Sequence, residues 1–235
     1  MQGKFFGIGV GPGDPELLTY KAVRLLREVD VVAVPVAGPD KKSTAYRIAE
    51  RFIGDKCRVL EIDFPMTHDR IKLEKAWEAG RQVIRATLNR GESVAFLTLG
   101  DPMLYSTYIY LFHHLQQDGC PVFTVPGVNS FSAAAAAAGI PLTFGDEKMA
   151  ILPGTAAMEI SEEELAGFQT YIIFKVANCY SQVVETLERV GLLRGSVLVI
   201  NCGQPGERIV NDLKSVLGDK LSYFSLIISR KEPVL

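Results

Sequence analysis

Three apolar runs in this chain each end in a glycine-bearing turn. Phe5-Phe6-Gly7-Ile8-Gly9-Val10 leads into Gly11-Pro12-Gly13-Asp14, Ser93–Leu99 into Gly100-Asp101-Pro102, and Val122–Val125 into Pro126-Gly127. Short runs rich in β-branched and aromatic residues, closed by Gly and Pro, predict buried strands. In a parallel sheet the carboxyl ends of strands share one edge, where ligands bind in the crevice. Three such turns are therefore expected to converge on one site.

Helical patterns fill the spaces between these runs. Asp14-Pro15-Glu16 predicts a helix start, followed by Leu17, Leu18, Ala22, Leu25 and Leu26 at helical spacing. Further helices are expected at Lys41–Ile53, Arg70–Asn89, Tyr105–Gln117 and the alanine-rich Ser130–Ala138, with strands at Val29–Val36 and Arg58–Ile62. This alternation reads as an α/β layer structure with a mostly parallel sheet.

Beyond Gly139-Ile140-Pro141 the rhythm changes. Strands are expected at Met149–Leu152, Thr170–Val176, Ser196–Cys202 and Tyr223–Ser229, and helices at Ser181–Val190, Glu207–Leu217 and, briefly, Ser161–Leu165. Two α/β domains follow from this, residues 1–126 and 127–235, with the boundary near Pro126.

Composition narrows the function classes. Apolar residues make up 48% of the 235 and charged residues 22%, which excludes a disordered chain. A net charge of -2 gives no global field for nucleic acid or an anionic membrane. The longest apolar stretch, Phe131–Phe144, is interrupted by Gly139 and Pro141 and is too short to span a bilayer. Cys57, Cys120, Cys179 and Cys202 lie far apart with no C-x-x-C pair, so neither a zinc site nor a disulfide framework is expected, and a cytoplasmic protein with reduced thiols is.

The first glycine turn is not a familiar nucleotide loop. A P-loop ends in Gly-Lys-Ser/Thr, where Asp14-Pro15 stands here. A dinucleotide fingerprint needs glycine at its sixth position, which is Asp14 counted from Gly9 and Pro12 counted from Gly7. The strand ending Val34-Pro35-Val36 also offers no carboxylate for a ribose.

Taken together, GVGPGDPELLTYKAVRLLREVDVV, LGDPMLYSTY and PGVNSFSAAAAAAGIPL resemble the tetrapyrrole methylases, over essentially the whole chain. That resemblance implies two α/β domains with S-adenosylmethionine (SAM) in the cleft between them, S-adenosylhomocysteine as product, and a tetrapyrrole substrate. FFGIGVGPGDPELLT, LTLGDPMLYSTY and FKVANC look most like the precorrin-2 C-20 methyltransferases of cobalamin synthesis, whose anaerobic counterparts use cobalt-factor II.

By the same resemblance, Pro12, Gly100, Asp101 and Met103 would line the cofactor, with Asn129, Ser130, Lys175, Val176, Gly203 and Gln204. Asn129 stands where the family usually has Thr or Ser, and Asn201–Glu207 departs from the family's commoner wording. No catalytic acid or base and no metal ligand is singled out. Asp101 also reads as a turn residue bonding its own backbone, and Tyr105 and Tyr108 as core residues, one of which could reach the macrocycle. Lys41, Lys42, Arg70, Lys72 and His68 are candidates for the substrate's carboxylates, each weighed against a solvated face. One of His113 and His114 is expected to be exposed. A homodimer is implied, and neither nucleic acid nor a membrane is expected as partner. The alternatives are another member of the superfamily, acting at a different corrin position, on ribosomal RNA or on the diphthamide precursor, and a non-catalytic SAM- or tetrapyrrole-binding module.

Overall fold

The computed structural model describes residues 2–36, 43–65, 67, 69–161, 163 and 167–232. It divides into two compact units, Met1–Asn129 and Ser130–Leu235.

In the first unit, β1 (Phe5–Gly9), β2 (Val31–Val36), β3 (Arg58–Asp63), β4 (Val94–Thr98) and β5 (Val122–Val125) form a parallel sheet ordered β3-β2-β4-β1-β5. The helices α1 (Tyr20–Glu28) and α2 (Thr44–Ala49) cover one face, packing Leu25, Leu26, Ala45 and Ile48 on Ile8, Val32 and Leu97. On the other face α3 (Arg70–Asn89) and α4 (Tyr108–Gln117) pack Ile84, Leu88, Leu111 and Leu115 on Phe5, Val31 and Phe96. Strand alternation explains this division: Ala95 and Leu97 face one layer, Val94 and Phe96 the other. Right-handed crossovers require connections moving toward β3 to use one face and those moving back to use the other. The loops leaving β4 and its neighbours β1 and β2 therefore run to helices on opposite faces, which leaves a crevice at their carboxyl ends.

Two helix starts differ from expectation. Asp14 caps only a 3-10 turn, Pro15–Leu17, through its bond to the Glu16 N–H; Leu18 is extended, and Thr19 caps α1 by accepting from the Ala22 N–H. The helix expected from Tyr105 begins at Tyr108, because Tyr105 takes a left-handed conformation (φ 50°) that no helix continues.

The second unit holds a mixed sheet ordered β6-β7-β10-β8-β9. Its strands are β6 (Met149–Pro153), β7 (Thr170–Phe174), β8 (Ser196–Ile200), β9 (Arg208–Val210) and β10 (Ser225–Arg230). β6 and β7 are parallel, while β10 runs antiparallel to both β7 and β8, so the carboxyl ends of β6, β7 and β8 lie on one edge. On one face α5 (Ser130–Ala138) packs Ala134 and Ala135 on Ile172, Val199 and Ile228, so the alanine run closes a core inside this unit. On the other face lie α6 (Gly154–Ala157) and α7 (Tyr180–Arg189), whose Val183, Val184 and Leu187 meet Ile173, Leu198 and Ile227.

The helix expected over Glu207–Leu217 is absent. Ile209 and Val210 instead pair with β8 as the edge strand β9, and Asp212 caps a 3-10 turn at Leu213–Val216. Gly206 in a left-handed conformation (φ 82°) lies in the turn between β8 and β9, which suits a hairpin and its β-branched arm better than a helix. Most of the short helix expected at Ser161–Leu165 lies outside the described residues.

Candidate functional site

The three glycine turns of the first unit meet at the carboxyl ends of β4, β1 and β5. Gly11 and Gly100 exchange backbone hydrogen bonds, Gly100 N–H to Gly11 O at 2.8 Å and Gly11 N–H to Gly100 O at 3.3 Å. A Cβ placed on Gly9 would sit 2.6 Å from both the Gly127 nitrogen and the Gly100 oxygen, and one on Gly127 would overlap the same oxygen. Only bare Cα atoms allow this approach. The result is a cradle whose walls are main chain, of the kind that lets backbone groups reach a bound ligand.

Asp101 ties the cradle together. Its Oδ1 accepts the Met103 N–H at 2.9 Å, the turn bond expected from the sequence, and its Oδ2 accepts the Gly127 N–H at 3.0 Å. The carboxylate thus orders its own loop and the turn after β5 at once. Pro12 is buried beside Gly11, whereas the Met103 side chain is half-exposed at the rim. Asn129 follows two residues after Gly127 and ends the unit. On the next strand position down from Gly100, Thr98 is 8% exposed and its Oγ1 has no hydrogen-bond partner among the described residues.

In the second unit the other residues implied by the resemblance also sit at strand ends. Lys175 leaves β7 in a left-handed conformation (φ 58°), and Gly203 and Gln204 leave β8. Phe174 and Ile200 flank β10 on opposite sides, so the two loops share an edge with one strand between them. Ser130 opens α5. Val176 turns its side chain wholly into the core, which leaves only its main chain to offer a ligand. The Gly203 N–H already donates to Glu207 Oε2 at 2.6 Å, and the Gln204 N–H to Asn201 O at 2.8 Å. Burial, with Glu207 alongside, pushes the Cys202 thiol up to about 11.

Two signals at these loops escape sequence reading. Among the described residues, Tyr105, Lys175 and Asn201 are the non-glycine residues with positive φ, and each follows a strand end that carries a candidate loop. Such strain concentrates at functional sites. Gly154, at the end of β6, faces the Lys175 and Phe174 carbonyl oxygens so closely that a Cβ there would lie 3.1 and 3.3 Å from them.

The two tyrosines divide. Tyr108 is fully buried, its ring laid over the bare Cα of Gly7 and its hydroxyl 2.7 Å from Thr124 Oγ1, and burial raises its pKa. Tyr105 is 46% exposed and not a core residue. Arg70 and Lys72 sit exposed in the first turn of α3, paired with Glu74 and Asp69 as a solvated helix face pairs its charges. Lys41, Lys42 and His68 lie outside the described residues. His113 is exposed and His114 half-buried. Among the described residues no group of three or more His, Cys, Asp or Glu side chains could hold a metal ion, and no helix is long and apolar enough to cross a membrane.

The profile of the Tetrapyrrole (Corrin/Porphyrin) Methylases matches residues 4–216. This chain belongs to the tetrapyrrole methylase family. Among its relatives, the cobalt-precorrin-2 C(20)-methyltransferase of Salmonella typhimurium is 33% identical over 99% of this chain and 98% of its own length. A probable cobalt-precorrin-2 C(20)-methyltransferase of Methanocaldococcus jannaschii is 42% identical over 74% of this tetrapyrrole methylase and 73% of its own length. The precorrin-2 C(20)-methyltransferase of a Sinorhizobium species is 31% identical over 96% and 94%. Of solved structures, a cobalt precorrin-4 methyltransferase aligns with a TM-score of 0.72 at 24% identity, covering 98% of this chain and 96% of that one. A uroporphyrin-III C-methyltransferase of Thermus thermophilus, in complex with S-adenosylhomocysteine, aligns with a TM-score of 0.65 at 25% identity, covering 97% and 98%.

Proposed function

We propose that this tetrapyrrole methylase transfers a methyl group from SAM to C-20 of cobalt-factor II, the cobalt-loaded ring of the anaerobic route, in corrin-ring synthesis. The observation that carries the reading is the main-chain cradle formed by Gly9, Gly11, Gly100 and Gly127 and locked by Asp101, in a chain matched by the family along most of its length. The preference for cobalt draws support from the 33% and 42% identities to the two cobalt-precorrin-2 enzymes, against 31% to the enzyme named for precorrin-2.

SAM supplies a methyl group already activated on a sulfonium. The nucleophile is the electron-rich C-20 carbon of the substrate, so the chain's task is to bind, orient and exclude water. Pro12, Gly100, Asp101, Met103 and Asn129 are assigned to the cofactor from the first unit, and Ser130, Lys175, Val176, Gly203 and Gln204 from the second. Both Asp101 oxygens are engaged by backbone N–H groups, so this residue holds the turns rather than acting as a base. Val176 and the glycines can contribute only main chain.

We also place the protein in the cytoplasm as a homodimer. The four cysteines are free thiols, as a reducing compartment favours. Edge strand β5 exposes Phe123, stacked on Phe6, as a surface a second copy could cover. A single species of monomer mass in sedimentation at working concentration would remove the dimer.

The substrate assignment is tested by offering metal-free precorrin-2 and cobalt-factor II side by side with SAM under anaerobic conditions and reading mass. A gain of one methyl on the cobalt species alone is expected; a gain on the metal-free ring alone moves the enzyme to the aerobic route.

A further inference from the structure

We propose that Glu207 is a positioning residue for the cofactor, its carboxylate setting the shape of the loop between β8 and β9 that carries Gly203 and Gln204. This deepens the methyltransferase reading and rests on it. The loop, residues 201–207, joins two paired strands: Ile200 ends β8 opposite Arg208, which opens β9. Its first residue is tied to the sheet, the Asn201 N–H donating to Phe224 O at 2.8 Å. Its last residue, Glu207, adjoins the Ile200–Arg208 pair, so the ladder fixes the root of the Glu207 side chain.

Between these anchors the chain makes two consecutive turns. The Gln204 N–H donates to Asn201 O at 2.8 Å, and the Glu207 N–H to Gln204 O at 3.1 Å. Asn201 (φ 52°), Gly203 (φ 70°) and Gly206 (φ 82°) are left-handed, so the backbone changes hand repeatedly within a few residues. Such a loop gives up conformational entropy to keep one shape and needs bonds that hold it. Glu207 supplies one that crosses from the second turn to the first. Its Oε2 accepts the Gly203 N–H at 2.6 Å, a charge-assisted bond stronger than one between neutral groups. The same carboxylate hydrogen-bonds the thiol of Cys202, which belongs to the core cluster of Val199 and Leu226. Glu207 thus grips two successive residues, one rooted in the core and the other assigned to the cofactor. Its side chain is exposed and β9 is an edge strand, so the carboxylate governs the loop rather than the sheet. In the first unit Asp101 joins two turns in the same manner.

The experiment compares the wild-type chain with Glu207→Ala, which removes the acceptor, and Glu207→Gln, which keeps one acceptor oxygen. Each is titrated with S-adenosylhomocysteine by calorimetry and melted without ligand. Glu207→Ala is expected to bind S-adenosylhomocysteine about tenfold more weakly and Glu207→Gln within about threefold of wild type. Both should melt within about four degrees of wild type. In turnover, KM for SAM should rise in Glu207→Ala by a factor similar to the loss of affinity, with kcat within about twofold. Wild-type affinity in Glu207→Ala overturns the proposal, as does a Glu207→Gln variant as weak as Glu207→Ala. A gain in affinity also overturns it, since the Gly203 N–H would then be a ligand donor that Glu207 covers. A larger fall in melting temperature does the same by giving the carboxylate a role in the fold at large. A wild-type chain that does not bind S-adenosylhomocysteine removes the cofactor assignment and this proposal with it. One that binds it but methylates no tetrapyrrole removes the substrate reading alone, and the titrations still judge Glu207.

Discussion

The Asp101 carboxylate joins two turns that lie 26 residues apart, Oδ2 accepting the Gly127 N–H at 3.0 Å while Oδ1 accepts that of Met103 at 2.9 Å. Removing it releases two backbone donors at once. Asp101→Ala is expected to destabilise the chain by about 2 kcal/mol and to weaken S-adenosylhomocysteine by more than tenfold. Asp101→Asn keeps one acceptor oxygen and should fall between the two. Calorimetric titration with a denaturation midpoint checks both; an Ala variant with wild-type affinity separates the cradle from the cofactor.

The close packing of glycines predicts a steric contrast. Gly127→Ala puts a methyl against the Gly100 carbonyl and the Gly9 backbone, which cannot yield as a side-chain tip can, and should cost about 1–3 kcal/mol together with cofactor affinity. Gly119 meets nothing within 4 Å, although its φ of 73° strains an alanine. Gly119→Ala should therefore cost about 1 kcal/mol and leave cofactor binding intact. Equal cofactor losses in the two variants would contradict the cradle.

Strands and their ends were legible because apolar runs in this chain are closed by Gly and Pro. Helix α3 is bounded as expected because Asp69 caps its first turn and Gly91, at φ 85°, follows its last. Sequence pattern set the first helix start at Asp14, which caps only a 3-10 turn, while α1 itself starts after Thr19. Glu207–Leu217 has helical composition, yet its place beside the edge of β8 makes a ladder worth more than a helix. The left-handed backbone of Tyr105 and Lys175 left no trace in residue type, whereas Asn201 is of a type that adopts it readily. Nor did residue type show that Thr98 Oγ1 has no partner among the described residues.

Alkaline stability should report the buried thiols. Burial raises the pKa of Cys202 to about 11, and the other three cysteines also shift up. In the unfolded chain a thiol ionises near its ordinary value of about 8.5, so the unfolded state sheds protons first as pH rises. The stabilisation present below that value is lost progressively up to about pH 11. Melting temperature is expected to decline over this window, and less steeply in Cys202→Ala. A Cys202→Ala profile parallel to wild type would show that Cys202 does not titrate as described.

The second unit holds one buried arginine. Arg230 Nη1 donates to the Leu142 carbonyl at 2.8 Å and to Thr170 Oγ1 at 3.0 Å, while Nη2 donates to Glu147, whose carboxyl is held below its usual range by that bond and by the Phe144 N–H. A lysine cannot reproduce this fork. Arg230→Lys should lower the melting temperature by several degrees at neutral pH. Because Glu147 ionises more readily when folded, its contribution is present above its unfolded pKa and lost as pH falls through the lower folded value. The gap between wild type and Arg230→Lys is therefore expected to narrow in acid. A gap that stays constant down to the acid transition would show that Glu147 is not the partner that matters.

The most direct test of the account follows the methyl group itself. The enzyme would be incubated anaerobically with SAM carrying a 13C-labelled methyl and with cobalt-factor II, and the product isolated for carbon NMR. The account predicts one labelled methyl, attached at C-20. A label at any other ring position, or no transfer by a chain that still binds S-adenosylhomocysteine, would contradict it.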